Sequence, residues 1–237
     1  RMEAAAISEM EDNIKTDEGF RVPKVDWSRS ARRVLTLEWI DGIPIADRDG
    51  LIAAGFDTKA LGAHLMQSFL RHAMRDGFFH ADLHPGNLFV DDQGRIVAVD
   101  FGIMGRLGMK ERLFLAEILH GFIKRDYTRV AEVHFEAGYV PRKHSVAQFA
   151  QALRAIGEPI MDRPASEISM AQLLGQLFQY TEVFDMQTRP ELLLLQKTMV
   201  VVEGVGRTLD SELNMWVVSE PVVKQWLESQ LGTTAQL

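Results

Sequence analysis

The stretch His80-Ala81-Asp82-Leu83-His84-Pro85-Gly86-Asn87, separated by twelve residues from Asp100-Phe101-Gly102, decides the fold of this chain. An Asp, an Asn five residues on, and an Asp-Phe-Gly beyond a short hairpin is the arrangement of a phosphoryl-transfer site. These polar positions can hold an acceptor hydroxyl and Mg²⁺ around the γ-phosphate of ATP. No other stretch of the sequence offers comparable chemistry.

Each polar residue of this stretch has a defined chemical use. Asp82 is the candidate catalytic residue, because a carboxylate must lie beside the acceptor hydroxyl to orient it and accept its proton. The amide oxygen of Asn87 and the carboxylate of Asp100 are candidate Mg²⁺ ligands, since this hard cation prefers oxygen donors. Gly102 gives the backbone the freedom to turn sharply behind Asp100.

His80, Asp82 and His84 alternate along the chain, a pattern that also occurs in metal sites. Pro85 and Gly86 follow directly, and the spacing places no third imidazole, so a zinc site is disfavoured. His80 is predicted to order the loop through backbone hydrogen bonds. His84 occupies the position, two after the Asp, where many kinases have a phosphate-directed Lys. Both histidines are therefore candidate catalytic residues.

Composition narrows the class of protein. The 237 residues are 46% hydrophobic and 25% charged, enough for one large domain or two small ones. The net charge of −7 argues against a nucleic-acid partner. The absence of Cys excludes disulfides and Cys-based zinc sites. No run of 18 apolar residues occurs, and the chain starts at Arg1 without a leader-like segment, so we expect a soluble fragment of a longer protein.

Hydrophobic periodicity and breaker residues predict the secondary structure. A helix is expected over 2–18, a strand over 34–40 and a helix over 58–76 ended by Gly77. Strands 88–90 and 96–99 are expected to form a hairpin through Asp91-Asp92-Gln93-Gly94. The rest is predicted to be helical, over 109–124, 127–137, 145–157, 169–182, 190–208 and 219–231, punctuated by Pro141, Pro159, Pro164, Pro190 and Pro221.

Four residues stand out in the otherwise apolar helix near the C-terminal end of the sequence. They are Glu203, Gly204, Gly206 and Arg207. The two glycines are predicted to permit close helix packing, in preference to contact with a ligand.

Together these segments resemble the ABC1/UbiB/ADCK family of atypical, protein-kinase-like proteins, which is linked to ubiquinone (coenzyme Q) biosynthesis. The resemblance covers roughly residues 3 to 230, and its last segment separates the family from ordinary kinases. The segments that carry it are Glu3-Ala4-Ala5-Ala6, Val22-Pro23-Lys24-Val25, Val34 to Pro44, Phe79 to Phe89, Val99-Asp100-Phe101-Gly102 and Glu203 to Asp210.

The resemblance implies an α+β, mostly helical, protein-kinase-like fold that is chiefly the C-lobe. Residues 1–40 would be a remnant of the N-lobe, and residues 41–237 the helical C-lobe with its family-specific tail. By position, Asp82 resembles the catalytic-loop Asp, while Asn87 and Asp100 resemble the Mg²⁺ ligands. The implied nucleotide-binding residues are Glu3, as the helix-C Glu that pairs with the nucleotide lysine, and Glu38 and Ile40, in the adenine-binding linker between lobes.

The sequence also departs from the family pattern. The Lys-x-Gly-Gln motif, the Ala-rich nucleotide loop, the nucleotide lysine and the Glu-x-Asp motif are not in it, nor are the hydrophobic C-terminal segments of many bacterial members. The isolated chain is therefore expected to bind ATP poorly and to be inactive. There is no Ala-Pro-Glu, and the chain runs from Gly102 almost directly into helix 109–124, which argues against a conventional protein substrate.

Three functional hypotheses follow. The first is an ATP- and Mg²⁺-dependent kinase or ATPase of the UbiB type that supports ubiquinone biosynthesis at the cytoplasmic face of the bacterial inner membrane, anchored through segments outside this sequence. Its expected partners are the nucleotide, a lipid or quinone precursor and quinone-biosynthesis enzymes. The second is a small-molecule kinase of the aminoglycoside or choline phosphotransferase type. The third is a non-catalytic, pseudokinase-like scaffold for quinone-pathway enzymes.

Overall fold

A computed structural model describes residues 1–180, 183–187 and 189–234. Its helices are α1 (Met2–Asn13), α2 (Arg48–Ala53), α3 (Thr58–Leu70), α4 (Met109–Ile123), α5 (Tyr127–Glu136), α6 (Val146–Met161), α7 (Met170–Gln179), α8 (Pro190–Leu209) and α9 (Met215–Thr234). Its strands are β1 (Phe20–Arg21), β2 (Ile43–Pro44), β3 (Phe78–His80), β4 (Leu88–Val90), β5 (Ile96–Ala98) and β6 (Met104–Arg106).

The predicted hairpin lies at the centre of a small mixed sheet. Strands β4 and β5 pair antiparallel, with Leu88 opposite Ala98, and the strand order is β1-β5-β4-β2. β1 is parallel to β5, whereas β2 is antiparallel to β4. The side chain of Asp91 accepts hydrogen bonds from the backbone N–H groups of Gln93 and Arg95, which closes the turn between the two strands.

Strand β3 leads into the catalytic-loop stretch and pairs antiparallel with β6, which follows Asp-Phe-Gly. Neither strand was predicted, because each has only three residues and neither shows a period-2 pattern long enough to recognise. Their pairing places residues 78–80 beside residues 104–106 and so closes a backbone loop around the candidate site.

The predicted strand over 34–40 is wrong. Only an isolated antiparallel bridge, Val25 to Leu37, forms in this run, although backbone hydrogen bonds also join it to residues 24–26. Val34 is 57% exposed and Trp39 87% exposed. Strand preference reflects packing on a half-buried pleated surface, and among the described residues this run has no sheet to pack on.

Prolines account for two further boundary errors. Helix α6 continues through Pro159, and α9 begins at Met215 and continues through Pro221. The cost of a proline inside a helix is offset in α9 by the burial of Val223 and Trp226 on the adjoining turns. The first helix is also shorter than predicted, since it ends at Asn13.

The remaining helices are confirmed to within one or two residues. The predicted helix 58–76 is formed as α3 followed by a π-helical turn, Arg71–Asp76, and Gly77 ends it in the left-handed conformation with φ +64°. Helix α7 ends at Gln179, and residues 181–182 of the predicted helix 169–182 lie outside the described residues.

Gly62 of α3 and Gly206 of α8 lie where these two helices approach each other closely. A Cβ atom on Gly62 would lie 3.1 Å from the carbonyl oxygen of Gly206, and one on Gly206 would lie 3.0 Å from Leu213 Cδ2. A Cβ on Gly204 would meet no described atom within 4 Å. The packing prediction is therefore right for Gly206 and wrong for Gly204.

Buried residues from both ends of the chain share one hydrophobic core. Ile7, Met10 and Phe20 belong to the same buried cluster as Leu65 of α3 and Val202 of α8. The division of the chain at residue 40 stays a prediction.

Candidate active site

His80 orders the catalytic loop from beneath. Its Nδ1 accepts a hydrogen bond from the backbone N–H of Asp82 at 3.0 Å, and its Nε2 lies 2.9 Å from the carbonyl oxygen of Val99. Because a carbonyl oxygen can only accept, Nε2 carries the proton and the ring is neutral. Burial lowers the pKa of His80 below its ordinary value, in agreement with this tautomer. His80 thereby fixes the backbone of Asp82 relative to the strand that precedes Asp100.

Asn87 closes the loop. Its side-chain Nδ2 donates to the backbone carbonyl oxygen of Asp82 at 2.8 Å. Its backbone carbonyl oxygen accepts a hydrogen bond from the backbone N–H of Val99 at 2.9 Å. The short 3-10 turn Pro85–Asn87 brings the residue back under Asp82. Since Nδ2 is engaged, the amide oxygen Oδ1 remains as the group that can bind a cation.

Asp100 lies at the same end of the hairpin as Asn87. The Asn87–Val99 hydrogen bond makes these two residues neighbours across β4 and β5, and Asp100 is the next residue of the chain. Its φ of +57° is left-handed, which is uncommon for a residue other than Gly. Such conformations concentrate at functional sites, and here one turns an exposed carboxylate away from its strand. Gly102 N–H donates to Asp100 Oδ1 at 3.3 Å.

Asp82 and His84 face each other at the loop surface. The distance between His84 Nε2 and Asp82 Oδ2 is 3.9 Å, with side chains 52% and 37% exposed. His84 Nδ1 accepts from the N–H of Gly86 at 3.1 Å, so in the neutral ring the proton lies on Nε2, toward the carboxylate. Asp82 thus keeps an accessible carboxylate whose orientation His84 can assist.

Glu3 reaches the site from α1. Its Oε1 accepts a hydrogen bond from the backbone N–H of Phe101 at 3.1 Å. α1 is held in place by its buried residues Ala4, Ile7 and Met10. The helix is also anchored by Glu9, whose carboxylate forms two 2.8 Å hydrogen bonds with Arg106.

Glu38 and Ile40 are placed differently. The Glu38 carboxylate accepts hydrogen bonds from Arg21 Nη1 at 3.1 Å and from the backbone N–H of Lys24. Ile40 is half-buried in a segment without strand structure. Within the described part of the chain, no hydrogen bond or ion pair joins either residue to Asp82, Asn87 or Asp100.

The sequence interpretation missed the partners that hold Glu38. Arg21 also donates from Nε to Asp91 Oδ2 at 2.9 Å, and Arg95 donates to the same oxygen at 2.8 Å. Burial raises the pKa of Asp91, but the hydrogen bonds from Arg95 and Arg21 outweigh it and hold that pKa below its ordinary value. Asp91 was read only as a turn residue, and no sequence pattern pairs it with an arginine seventy residues earlier.

The arrangement fits a magnesium ion bound through phosphates. Asn87 Oδ1 and the Asp100 carboxylate could supply two oxygen ligands, and Mg²⁺ usually takes few protein ligands and completes its shell with water and phosphate oxygens. No group of three His, Asp or Glu side chains within residues 1–180, 183–187 and 189–234 is placed to hold a metal ion by itself.

A catalytic loop, a hairpin and an Asp-Phe-Gly turn, packed on a helical body, define a protein-kinase-like fold. Residues 1–134 match the family model described as the ABC1 atypical kinase-like domain, and residues 153–214 match the UbiB helical domain. The chain therefore belongs to the ABC1/UbiB family, as its sequence motifs indicated.

Two known proteins extend this result. The chain is 39% identical over 234 residues to a "Probable protein kinase UbiB" of Marinobacter nauticus, covering 97% of this chain and 43% of that protein. It thus spans less than half the length of that curated relative. The structure of Rv3197 in complex with erythromycin, from Mycobacterium tuberculosis, superposes with a TM-score of 0.62 at 23% identity, over 94% of this chain and 57% of that one. This likeness confirms the kinase-like α+β fold.

A helix that crosses a bilayer must be both long and apolar. Within the described ranges, no helix is long enough and apolar enough to do so.

Proposed function

We propose that the protein to which this chain belongs is an ATP- and Mg²⁺-dependent atypical kinase or ATPase of the UbiB type that supports ubiquinone biosynthesis. The observation that carries the proposal is the hydrogen bond from Asn87 Nδ2 to Asp82 O. It fixes the spacing of the catalytic loop and leaves the Asn87 amide oxygen unused by that bond. The backbone hydrogen bond from Val99 to Asn87 places Asn87 opposite the residue that precedes Asp100. The proposed acceptor carboxylate therefore lies on a loop that is hydrogen-bonded to Asn87, at the end of the hairpin that carries the proposed oxygen ligands.

In this proposal each residue has one task. Asp82 orients the attacking hydroxyl or water and accepts its proton, and His84 Nε2–H steadies the carboxylate. Asn87 and Asp100 hold the magnesium ion, which when bound neutralises charge on the phosphate oxygens. His80 keeps the loop in register through Val99. Glu3 links α1 to the Asp-Phe-Gly turn and is available to a nucleotide-binding lysine from elsewhere in the protein.

The segment after Gly102 favours a small acceptor. Residues Met104–Arg106 are paired with β3, and α4 begins at Met109. This leaves no length for an extended segment on which a peptide could dock. The proposed acceptor is therefore a lipid or other small molecule, such as a quinone precursor, or water in ATP hydrolysis. Association with quinone-biosynthesis enzymes at the cytoplasmic face of the membrane belongs to the same proposal.

The test is nucleotide binding and turnover by the full-length protein. Asp100→Asn is expected to abolish Mg²⁺-dependent ATP binding, measured by calorimetry with and without EDTA. Asp82→Ala is expected to retain binding and lose turnover by roughly 10²–10⁴-fold. Asp92→Asn, at an exposed position in the turn of the same hairpin, is the matched control and should behave as wild type.

Undiminished Mg²⁺-dependent binding by Asp100→Asn would contradict the metal assignment. Full rescue of quinone levels in a deletion strain by Asp82→Ala would instead indicate a scaffold. Stoichiometric phosphorylation of an aminoglycoside or choline would indicate the small-molecule kinase alternative.

A further inference from the structure

A cavity of about 580 Å³ lies between three elements that the proposed function does not use. Its walls are the loop after α1, the end of α3 with its π-helical turn, and α9. None of its lining residues belongs to the candidate active site. Its volume lies within the range of small-molecule sites, which is roughly 300–1,000 Å³. α9 also lies outside both stretches that match the family models.

The floor of the cavity is apolar. Met74, Val222 and Trp226 line it and are themselves buried, so their side chains are held by packing before any ligand arrives. Arg112 supports this floor from behind, because its guanidinium stacks 5.5 Å from the Trp226 ring and donates to the carbonyl oxygens of Met74 and Arg75. A preformed apolar floor suits a flat or aliphatic group.

One of the two arginines that line the cavity is held in ion pairs, and the other is not. Arg75 forms hydrogen-bonded ion pairs with Asp17 and Asp76, and these carboxylates raise its pKa. Arg71, on the same π-helical turn, makes no hydrogen bond or ion pair to any described residue, although the chain carries a net charge of −7. His72 beneath them stays neutral, because burial and the two arginines lower its pKa to about 3.

We propose that this cavity binds an amphipathic organic anion, with its apolar body on Met74, Val222 and Trp226 and its acidic group on Arg71. Arginine is suited to this role because its planar donors match a carboxylate, sulfonate or phosphate. Glu18, at the rim, is negatively charged and would repel a second negative charge on the ligand. A ligand with a single negative charge is therefore favoured. π-Helical turns are frequent at functional sites, and this one places Arg71 toward the cavity.

The test uses two probes that share one aromatic body. 8-Anilinonaphthalene-1-sulfonate carries the anionic group, and N-phenyl-1-naphthylamine lacks it; their affinities for the chain are measured by fluorescence titration. Arg71→Gln should weaken binding of the sulfonate about tenfold, because one charge-assisted hydrogen bond is lost. The affinity for the neutral probe should not change. Arg33→Gln, an exposed arginine outside the cavity, is the matched control and should change neither affinity.

A second variant blocks the cavity without disturbing the core. Gln225 is an exposed residue of α9 in the wall of the cavity. In Gln225→Trp the larger side chain can cover the mouth of the cavity, so binding of both probes should be lost. Circular dichroism verifies that each variant is folded. Sulfonate affinity that is equal in wild type and Arg71→Gln, or that falls equally in Arg33→Gln, would overturn the proposal. So would unchanged binding in a folded Gln225→Trp. Because these readouts involve no nucleotide, they are independent of the proposed phosphoryl transfer.

Discussion

Two regions of this molecule contain carboxylates that differ in their exposure to solvent, the catalytic-loop region and the tail region of α8. In the catalytic-loop region, Asp82 and Asp100 are accessible, and the hydrogen bonds that shape the loop come chiefly from the backbone, His80 and Asn87. In the tail region of α8, Glu203 is only 2% exposed and accepts hydrogen bonds from Ser169 Oγ at 2.6 Å and from the N–H of Ala171 at 2.9 Å.

The tail region connects α8 to α7 and to the segment that precedes α7. Glu203 caps the first turn of α7, and Arg207, 3.6 Å from its carboxylate, donates to the carbonyl oxygens of Ser166 and Ile168. Glu203 and Arg207 thus both have internal partners, as burial requires. An accessible carboxylate remains available to a ligand, whereas the buried and paired carboxylate of Glu203 joins α8 to α7.

The same chemical change should therefore have opposite effects in the two regions. Glu203→Gln replaces one buried acceptor oxygen by an NH₂ group that cannot accept, so one of the two hydrogen bonds from Ser169 and Ala171 is lost, and the free energy of unfolding should fall by about 1–3 kcal/mol. Asp100→Asn should change it by less than about 0.5 kcal/mol, since the side chain is exposed and Asn tolerates the left-handed conformation. Urea unfolding of both variants measures this. Equal losses in the two would remove the distinction between the regions.

The helical body is expected to depend on pH through buried histidine. His134 lies between Phe114 and Phe149, and burial lowers its pKa to about 4. In the unfolded chain the histidine has its ordinary pKa of 6.5, so as the pH falls the unfolded chain is protonated before the folded one. Burial of the neutral ring therefore contributes fully to the free energy of unfolding above pH 6.5, and this contribution is lost as the pH falls toward 4. At pH 5 the loss is about 2 kcal/mol.

His134→Phe keeps a similar packing volume and removes the titrating group. The stability difference between wild type and this variant should therefore change by about 2 kcal/mol in favour of the variant between pH 7 and pH 5. Thermal or urea unfolding at the two pH values measures it. A constant difference across this range would show that His134 is not buried in its neutral form.

Smaller changes in stability than that of Glu203→Gln are expected at the two tail glycines. Gly206→Ala should destabilise the protein by about 1–2 kcal/mol, because its Cβ would press on Leu213 where α3 and α8 approach. Gly204→Ala should instead stabilise it by roughly 0.5–1 kcal/mol, because the position is open and Ala favours helix. Unfolding midpoints of the two variants give the comparison, and destabilisation by both would mean that Gly204 also packs closely.

Much of the fold could be predicted from local pattern. Helices α4 to α8 follow from long amphipathic stretches, and the hairpin β4–β5 follows from a four-residue turn between two apolar runs. The missed strands β3 and β6 are too short to show a pattern, whereas the other errors arise because local preference does not include the packing partners. The run 34–40 has strand-forming residues but no described sheet beside it, while α9 tolerates Pro221 because its other residues are buried.

For the candidate site, the spacing of Asp82, Asn87 and Asp100 predicts which residues carry the proposed chemistry, since residue type and the length of a short hairpin are local properties. Only the tertiary structure decided how they are held. The bond from Glu3 to Phe101, the clamp of His80 on Val99 and the capping of α7 by Glu203 join residues far apart in sequence. The cavity beside Arg71 likewise appears only when the loop after α1, the π-helical turn and α9 meet, because a surface made by three distant segments has no linear pattern.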